Sequence, residues 1–358
     1  MVGRRLGLVV AVVAVVGSSL VGGVSCFGTA PEVVVNTWPF VDATREAWSV
    51  LRTEDALTAV EKGVSVCEVE QCDHTVGYGG SPDEWGQTTL DAMIMNGDTM
   101  EAGSAVNLHA TKQAISAARL VMETTNHTIL AGRDADEFAR AMGLAQGSLV
   151  TNFSKALWSQ WERGACQPNY RRNVHPNPRD SCGPYAPNAG AGDRKGGVGA
   201  ARSPVGTFGR NNHDTIAMIA LNSRGSMAAG TSTNGATHKV PGRLADSGVP
   251  GSGAYVDSEV GGCGATGDGD VMMRFVPCYQ VVESMRRGMS PKSAVEEALG
   301  RIRRRHPTFQ GALLALDKNG NHAGATNCMD FHYSLASADH PDVRVIEVQA
   351  SVPCPSST

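Results

Sequence analysis

The sequence predicts a layered fold of α/β or α+β class, and three kinds of segment indicate it. Residues 32–36 (EVVVN) are typical of a buried strand, and residues 43–62 and 110–123 repeat apolar side chains at helical spacing. Further along, two pairs of strand-like segments flank turns at residues 222–225 and 318–320, which predicts two hairpins. Strands and helices in such a mixture bury their apolar faces by stacking in layers.

The C-terminal half adds two more predicted helices. Residues 270–288 have a helical pattern, and Ser290 with Pro291 supplies an N-cap and a first-position proline for the helix that follows. Two glycine-rich stretches, residues 242–255 and 261–270, are predicted to be loops.

Length and composition bound the class of protein. The chain has 358 residues, of which 41% are hydrophobic and 18% charged, enough for one large domain or two. The net charge of −4 gives no reason to expect a nucleic-acid partner or a polybasic membrane patch.

The N-terminus has the order of a secretory signal peptide, assigned to residues 1–25. Arg4 and Arg5 precede an apolar run, residues 6–16, and small residues follow. A membrane anchor is the competing interpretation, but the run is short for a span. Removal of the signal would leave a chain with no membrane segment.

Secretion permits disulfides, and the nine cysteines suggest three of them. The expected pairs are Cys67 with Cys72, Cys166 with Cys182, and Cys328 with Cys354. The pairing of Cys263 and Cys278 is left open. Because no CxxC motif or Cys/His cluster occurs, a zinc site is not expected, and no other cofactor is implied.

Secretion would also make two sequons, at Asn126 and Asn152, candidate glycosylation sites.

The sharpest change in composition along the chain lies between its two halves. Residues 186–212 are rich in Gly, Ala and Arg and nearly free of large apolar residues, which predicts a flexible linker.

This linker leads to Asp214 and Thr215, directly before an apolar strand pattern. A β-branched threonine at a strand start has an ordinary structural explanation. The alternative is that the bond before Thr215 breaks. Thr215 would then carry its nucleophilic hydroxyl beside its own α-amine, whose ordinary pKa of about 7.7–8.0 suits a general base.

A set of motifs in order along the chain resembles the aspartylglucosaminidases (glycosylasparaginases), which are N-terminal-nucleophile hydrolases. The motifs cover nearly the whole chain after the signal, apart from the linker. They are VVNTWPF (34–40), QCDHTVGYGGSPDEWGQTTLDAMIMNG (71–97), CQPNY (166–170), CGPY (182–185), GTSTNG (230–235), GRLADSGVPGSGAY (242–255) and ATGDGDVMMRF (265–275).

The resemblance implies an α+β fold, specifically a four-layer αββα sandwich. It implies autocatalytic cleavage into an α chain (residues 26–214) and a β chain (residues 215–358) that together form one domain. Two such heterodimers commonly associate in the family. The implied reaction is hydrolysis of the amide joining N-acetylglucosamine to free asparagine, in lysosomal glycoprotein breakdown.

The resemblance also assigns roles. Thr215 would be the nucleophile, and Thr233 would hydrogen-bond near its amine and hydroxyl. Arg243 and Asp246 would hold the α-carboxylate and α-amine of the substrate, which suits a bidentate guanidinium and a carboxylate. The remaining roles fall to Thr266 and Gly267, as the oxyanion hole with Gly267 also touching substrate, and to Trp38, as a pocket wall.

Self-cleavage would involve Asp214 and the hydroxyl of Thr75, while His213 either assists cleavage or only caps the strand. Besides its cysteine pattern, which lacks one pair usual in mammalian members, the chain departs from the family motifs at two positions. Ala217 stands where glycine is common, and His74 stands where the family has the glycine of CDGS. Two rival interpretations remain: an L-asparaginase/isoaspartyl peptidase of the same superfamily, and a non-cleaving, inactive binding relative.

Overall fold

The computed structural model describes residues 30–188 and 215–355. Fourteen strands are found in these ranges. They are β1 (Val33–Thr37), β2 (Leu90–Asn96), β3 (Ala102–Leu108), β4 (Ile129–Ala131), β5 (Val174–His175), β6 (Ala186–Pro187), β7 (Ile216–Leu221), β8 (Met227–Thr233), β9 (Ala254–Asp257), β10 (Gly261–Gly267), β11 (Gly311–Asp317), β12 (His322–Asn327), β13 (Phe331–Ser337) and β14 (Arg344–Val348).

The same ranges contain eight α-helices. They are α1 (Val41–Leu51), α2 (Ala56–Glu70), α3 (Ala114–Thr124), α4 (Gly132–Ala141), α5 (Asn152–Arg163), α6 (Gly269–Phe275), α7 (Pro277–Arg286) and α8 (Pro291–Arg303). Within the described ranges, no helix is both long enough and apolar enough to cross a membrane.

Two sheets organise the molecule. The larger has the strand order β14-β13-β1-β7-β8-β2-β3-β4, and all neighbours are antiparallel except β3 and β4. The smaller has the order β12-β11-β10-β9 and is antiparallel throughout. The short strands β5 and β6 pair separately. Mixed helices and sheets confirm the predicted α+β class.

Side-chain alternation along β10 explains how this strand contacts both neighbouring layers. Cys263 and Ala265 belong to a hydrophobic cluster with α7 and α8. The intervening glycines face the large sheet: a Cβ added at Gly262 would lie 2.9 Å from Cγ2 of Ile219, and one at Gly264 would lie 2.7 Å from Cβ of Ala217. Glycine at these positions therefore allows β10 to approach β7 closely.

Helices cover other parts of the two sheets. Helix α1 contacts the large sheet at β1, α2 mainly at β8, and α3 mainly at β3. Helix α7 contacts the small sheet mainly at β10, and α8 mainly at β12. Glycines allow two close approaches: a Cβ added at Gly63 of α2 would lie 2.6 Å from Sδ of Met218, and one added at Gly103 of β3 would lie 2.1 Å from the carbonyl oxygen of Ala118 in α3.

Two predicted helices are each broken into two. The stretch 43–62 divides into α1 and α2, because Asp55 ends the run and caps α2 by accepting from the N–H of Thr58. The stretch 270–288 divides into α6 and α7 at Val276, whose φ is 50°. Pro277 has no N–H to continue a helix and disfavours helical geometry in the preceding residue.

The expectation that residues 242–255 and 261–270 are loops was wrong in part, because β9 begins at the end of the first stretch and β10 lies within the second. Glycine weakens a strand through lost side-chain packing, but the backbone ladder of β10 with β9 and β11 does not depend on side chains. Both hairpins, the strand at residues 33–37 and helix α8 with its Ser290 cap are confirmed.

The three expected disulfides, Cys67–Cys72, Cys166–Cys182 and Cys328–Cys354, are also confirmed. The expected signal peptide, residues 1–25, lies outside the described residues. So does most of the predicted linker; its first residues, Ala186–Pro187, pair with Val174–His175.

Candidate active site

Thr215 lies immediately before β7 and is buried. Its carbonyl oxygen accepts a hydrogen bond from the hydroxyl of Thr37 at 2.9 Å, and that hydroxyl accepts in turn from the N–H of Ala217 at 2.9 Å. The Thr37 side chain thus continues the pairing of β1 with β7, which ends at Asn36 and Met218. The backbone of Thr215 is thereby fixed from the neighbouring strand.

The hydroxyl of Thr215 points toward the loop that carries Arg243 and Asp246. Its Oγ1 lies 3.3 Å from Oγ of Ser247, the residue after Asp246. The Ser247 carbonyl accepts from the hydroxyl of Thr231 in β8 at 2.5 Å. The residue that the candidate nucleophile contacts, Ser247, therefore directly follows the candidate amine-binding residue, Asp246, in the chain.

Arg243 and Asp246 converge on Gly269, the first residue of α6. A Cβ added at Gly269 would lie 2.4 Å from Oδ1 of Asp246 and 3.1 Å from Nη2 of Arg243. Arg243 also forms an ion pair with Asp270, with Nη2 and Oδ2 3.2 Å apart. A guanidinium and a carboxyl held this close can bind the two ends of an α-amino acid.

Asp246 is electrostatically unusual. Burial raises the pKa of its carboxyl to about 7, although the nearby Arg243 charge lowers it. Its Oδ2 is buried and makes no hydrogen bond to any described residue. Because a buried polar atom normally has a hydrogen-bond partner, Oδ2 is suited to accept a hydrogen bond from a ligand ammonium.

The buried carboxyl of Asp91 in β2 supports this loop. Its Oδ2 accepts from the N–H of Ala245 at 2.8 Å, and its Oδ1 accepts from the N–H of Asn107 at 2.6 Å. Burial raises the pKa of Asp91, and these two backbone donors oppose the rise. Asp91 therefore links the sheet to the segment between Arg243 and Asp246.

Trp38, which directly follows β1, contacts Thr266 of β10. The indole Nε1 of Trp38 donates to the hydroxyl of Thr266 at 3.1 Å, and its ring packs edge-on against Phe331. Gly267, which ends β10, has a φ of 120° that disfavours other residues. Trp38 is almost wholly buried and holds the Thr266 hydroxyl, and its role as a pocket wall stays a prediction.

Thr233 and Thr75 meet at the end of β8. The hydroxyl of Thr233 donates to the Thr75 carbonyl at 3.4 Å and accepts from the N–H of Gly235 at 2.9 Å. Ile216 pairs with Ser232, so continuing the register by one residue places Thr215 beside Thr233. Thr233 and Thr75 therefore lie at the same end of the sheet as the candidate nucleophile.

Both departures from the family motifs have visible local consequences. His74 adopts a left-handed φ of 57°, which glycine would adopt more easily, and its ring stacks on Phe153 with centroids 3.9 Å apart. The methyl group of Ala217 is accommodated because Gly264 faces it without a side chain.

Some predicted residues are not brought into the site or lie beyond the described ranges. Asp214 and His213 are outside those ranges. The side chains of Asn126 and Asn152 are exposed, and the Ser154 hydroxyl of the second sequon donates to the Thr151 carbonyl at 3.1 Å. Glycosylation at either position stays a prediction.

Sequence reasoning missed three residues of the site: Thr37, Ser247 and Asp91. Two of them had a signal in their neighbours, because Thr37 adjoins Trp38 in NTWPF and Ser247 adjoins Asp246 in GRLADSG. The signal for Asp91 was its charge among the apolar residues of β2, but that signal does not tell which distant backbone groups the carboxylate binds.

A threonine hydroxyl directly before a central strand, next to a loop that carries an arginine and a buried carboxyl, has the chemistry of an amidohydrolase acting on amino-acid amides. The comparisons agree with this class. The chain belongs to the asparaginase family, whose model matches residues 14–345.

Named relatives cover most of the chain. It is 50% identical over 325 residues to a probable isoaspartyl peptidase/L-asparaginase 3 of Arabidopsis thaliana (88% of this chain, 90% of the relative). It is 48% identical over 302 residues to the N(4)-(beta-N-acetylglucosaminyl)-L-asparaginase of Mus musculus (84% and 86%). A putative enzyme of that second name in Drosophila melanogaster is 49% identical over 334 residues (91% and 84%).

Proposed function

We propose that this amidohydrolase cleaves itself before Thr215 and then hydrolyses the amide between N-acetylglucosamine and free asparagine. The observation that carries the proposal is the short path from the substrate clamp to the nucleophile. Arg243 and Asp246 meet at Gly269. The residue after Asp246 is Ser247, and its Oγ lies 3.3 Å from Oγ1 of Thr215. The names of the mouse and fly relatives support the choice of substrate.

In the proposed reaction, the free α-amine of Thr215 takes the proton of its own hydroxyl as Oγ1 attacks the side-chain carbonyl carbon of the substrate. The Thr266 hydroxyl and the Gly267 N–H stabilise the oxyanion. The amine returns the proton to the leaving glycosylamine. Water then hydrolyses the aspartyl ester on Thr215, releasing aspartate and the free enzyme.

The clamp explains why the substrate should be a free amino-acid conjugate. Arg243 would hold the α-carboxylate bidentately, and Asp246 would hold the α-ammonium. In an intact glycopeptide both groups are blocked by peptide bonds. Such a substrate would leave the buried Asp246 carboxyl without its partner, so we expect poor turnover of glycopeptides.

Self-cleavage would convert the Asp214–Thr215 amide to an ester through the Thr215 hydroxyl, and water would then release the two chains. The strand order supports their staying together. Strand β1 of the proposed α chain lies between β13 and β7 of the proposed β chain, and β2 of the α chain pairs with β8. The packing of helices and sheets supports one four-layer αββα sandwich.

The same proposal includes the route and assembly of the protein. Three disulfides indicate an oxidising compartment, in keeping with a secretory signal and a lysosomal destination. The substrate would be a small glycosylasparagine, and two αβ heterodimers would associate. No cofactor is required for a nucleophile that carries its own base.

The second candidate function is that of an isoaspartyl peptidase/L-asparaginase. The observation in its favour is 50% identity to the Arabidopsis relative of that name. Both functions would use the same nucleophile and the same clamp. They differ in the group beyond the scissile amide, which is a sugar in one case and an amino acid in the other.

A substrate panel separates the candidates. We expect the cleaved protein to hydrolyse GlcNAc-asparagine with a higher kcat/KM than a β-aspartyl dipeptide or free asparagine. Faster turnover of the dipeptide would assign the second function. No turnover of any of the three would identify the inactive relative.

The clamp is tested with Arg243→Lys, which keeps the charge but loses the bidentate geometry. We expect a higher KM for GlcNAc-asparagine and normal self-cleavage. The matched control is Arg274→Lys on the exposed side of α6, which should behave as the wild type. An unchanged KM in the Arg243 variant would contradict the clamp.

A further inference from the structure

Two cysteines outside the three disulfides face each other in the interior of the β-chain half. Cys263 lies in β10, and Cys278 is the second residue of α7. Their Sγ atoms are 2.8 Å apart, and both side chains are fully buried. This separation is too short for a van der Waals contact of unbonded sulfur atoms and longer than the S–S bond of about 2.05 Å, so a small shift of the two side chains would allow bonding.

We propose that Cys263 and Cys278 are joined by a fourth disulfide bond in the mature protein. The oxidation removes two protons and two electrons from the two thiols. The acceptor is a disulfide donor of the secretory pathway, either an oxidised dithiol oxidoreductase or oxidised glutathione. One cysteine forms a mixed disulfide with the donor, the other displaces it, and the donor leaves reduced.

The surroundings favour a bond that forms during folding and then persists. Both sulfur atoms lie in an apolar cluster that includes Val281, Val282 and Leu313. Burial raises the pKa of the Cys278 thiol well above its ordinary value, so the folded protein presents almost no reactive thiolate there. Exchange would therefore occur before this cluster closes, and small reductants would not reach the bond afterwards.

The bond would brace the strand that carries the proposed oxyanion hole. Cys263 precedes Thr266 by three residues in β10. The Cys278 sulfur lies 3.7 Å from the carbonyl oxygen of Gly253, and the Gly253 N–H donates to the Asp246 carbonyl at 3.1 Å. A disulfide here would tie α7 to β10 directly beneath the substrate-binding loop.

The proposal is tested on the full-length chain secreted by a eukaryotic host. The protein is denatured without reductant in excess iodoacetamide, digested, and analysed by mass spectrometry. We expect Cys263 and Cys278 in one cross-linked peptide pair, separated by dithiothreitol, with neither residue alkylated. Alkylation of both, with the other three disulfides intact, would overturn the proposal.

Two variants complete the test. Cys278→Ser should make Cys263 alkylatable after denaturation, which shows that the reagent reaches this site. The double variant C263A/C278A should melt several degrees below the wild type without reductant. If wild type and double variant melt at the same temperature and the linked peptide is absent, the two cysteines are free thiols. These readouts do not depend on catalysis, so they hold whichever substrate the enzyme prefers.

Discussion

The buried Asp246 carboxyl leads to a prediction about the pH dependence of ligand binding. Burial raises its pKa to about 7 in the empty site, whereas an ammonium ligand requires the carboxylate. Below pH 7 the free protein must release a proton on binding. We therefore expect the Kd for L-aspartate to rise about tenfold between pH 8 and pH 6, measured by calorimetry.

Succinate is the matched ligand, because it lacks only the α-ammonium. Its affinity is not expected to weaken on acidification in the same range, since it does not need the Asp246 carboxylate. Parallel pH profiles for aspartate and succinate would remove Asp246 from the amine-binding role.

Thr37 is predicted to position the nucleophile rather than to touch substrate. Its hydroxyl bridges the Thr215 carbonyl and the Ala217 N–H. Thr37→Val removes both hydrogen bonds at nearly constant shape, at a cost of about 1–2 kcal/mol. If these hydrogen bonds stabilise the transition state more than the bound substrate, kcat for GlcNAc-asparagine should fall about tenfold or more with little change in KM.

Thr37→Ser retains the hydroxyl and should recover most of the kcat. Thermal melting of both variants shows whether either is merely unfolded. Equal loss of kcat in the Val and Ser variants, or a change confined to KM, would show that the hydroxyl does not position Thr215.

At the scale of elements, the approach of β10 to β7 depends on a complementary pair of small residues. Gly264 faces the Ala217 methyl group, and an added Cβ would lie only 2.7 Å away. Gly264→Ala should therefore lower the free energy of unfolding by about 1–3 kcal/mol and slow self-cleavage.

Adding Ala217→Gly to the Gly264→Ala variant should restore much of the lost stability and of the lost self-cleavage rate, because it removes the opposing methyl group. The measurements are melting temperature and the cleaved fraction on a denaturing gel, for both single variants and the double. Strictly additive effects would mean that these two residues do not share one space.

Helix α2 brings a buried carboxyl against the back of β8. Glu68 Oε1 accepts from the Ser232 hydroxyl and from the Ile115 N–H, while burial raises its pKa from the ordinary value of 4.5 to about 8. The folded chain thus binds this proton more tightly than the unfolded chain. The resulting stabilisation is complete below about pH 4.5 and is lost as the pH rises through 8.

We therefore expect the melting temperature to fall between pH 5 and pH 8, and Glu68→Gln to flatten that fall. Glu70→Gln, at the exposed end of the same helix, is the control and should leave the slope unchanged. An equal slope in wild type and Glu68→Gln would assign the pH dependence to other groups.

Elements were predictable where their signals are local. A few adjacent residues determine the Ser290 cap and the turns of both hairpins, and the structure confirms these features. Helical periodicity continued across Arg52–Asp55 and across Val276, where the breaks come from a cap and from Pro277. Strand β10 escaped prediction because its pairing partners, rather than its own glycines, determine it.

At the scale of the whole molecule, the motifs were sufficient to predict the family, but not the residues that support the candidate site. The clamp itself stays a prediction. The Thr37 hydroxyl meets Thr215 across 178 residues of sequence, and Asp91 meets Ala245 across 154. Such contacts depend on the interleaved order of the large sheet, which no local pattern encodes. The same interleaving would hold the two proposed chains together without a covalent link.

None of the three disulfides crosses Thr215: two precede it and one follows it. The central claim, that Thr215 becomes a catalytic N-terminus, is therefore tested by denaturing, non-reducing mass spectrometry with N-terminal sequencing of the secreted protein. We predict two separate chains, one beginning TIAMIALN, and a single inactive chain for Thr215→Ala. An unbroken wild-type chain that hydrolyses GlcNAc-asparagine, or an active Thr215→Ala variant, would contradict it.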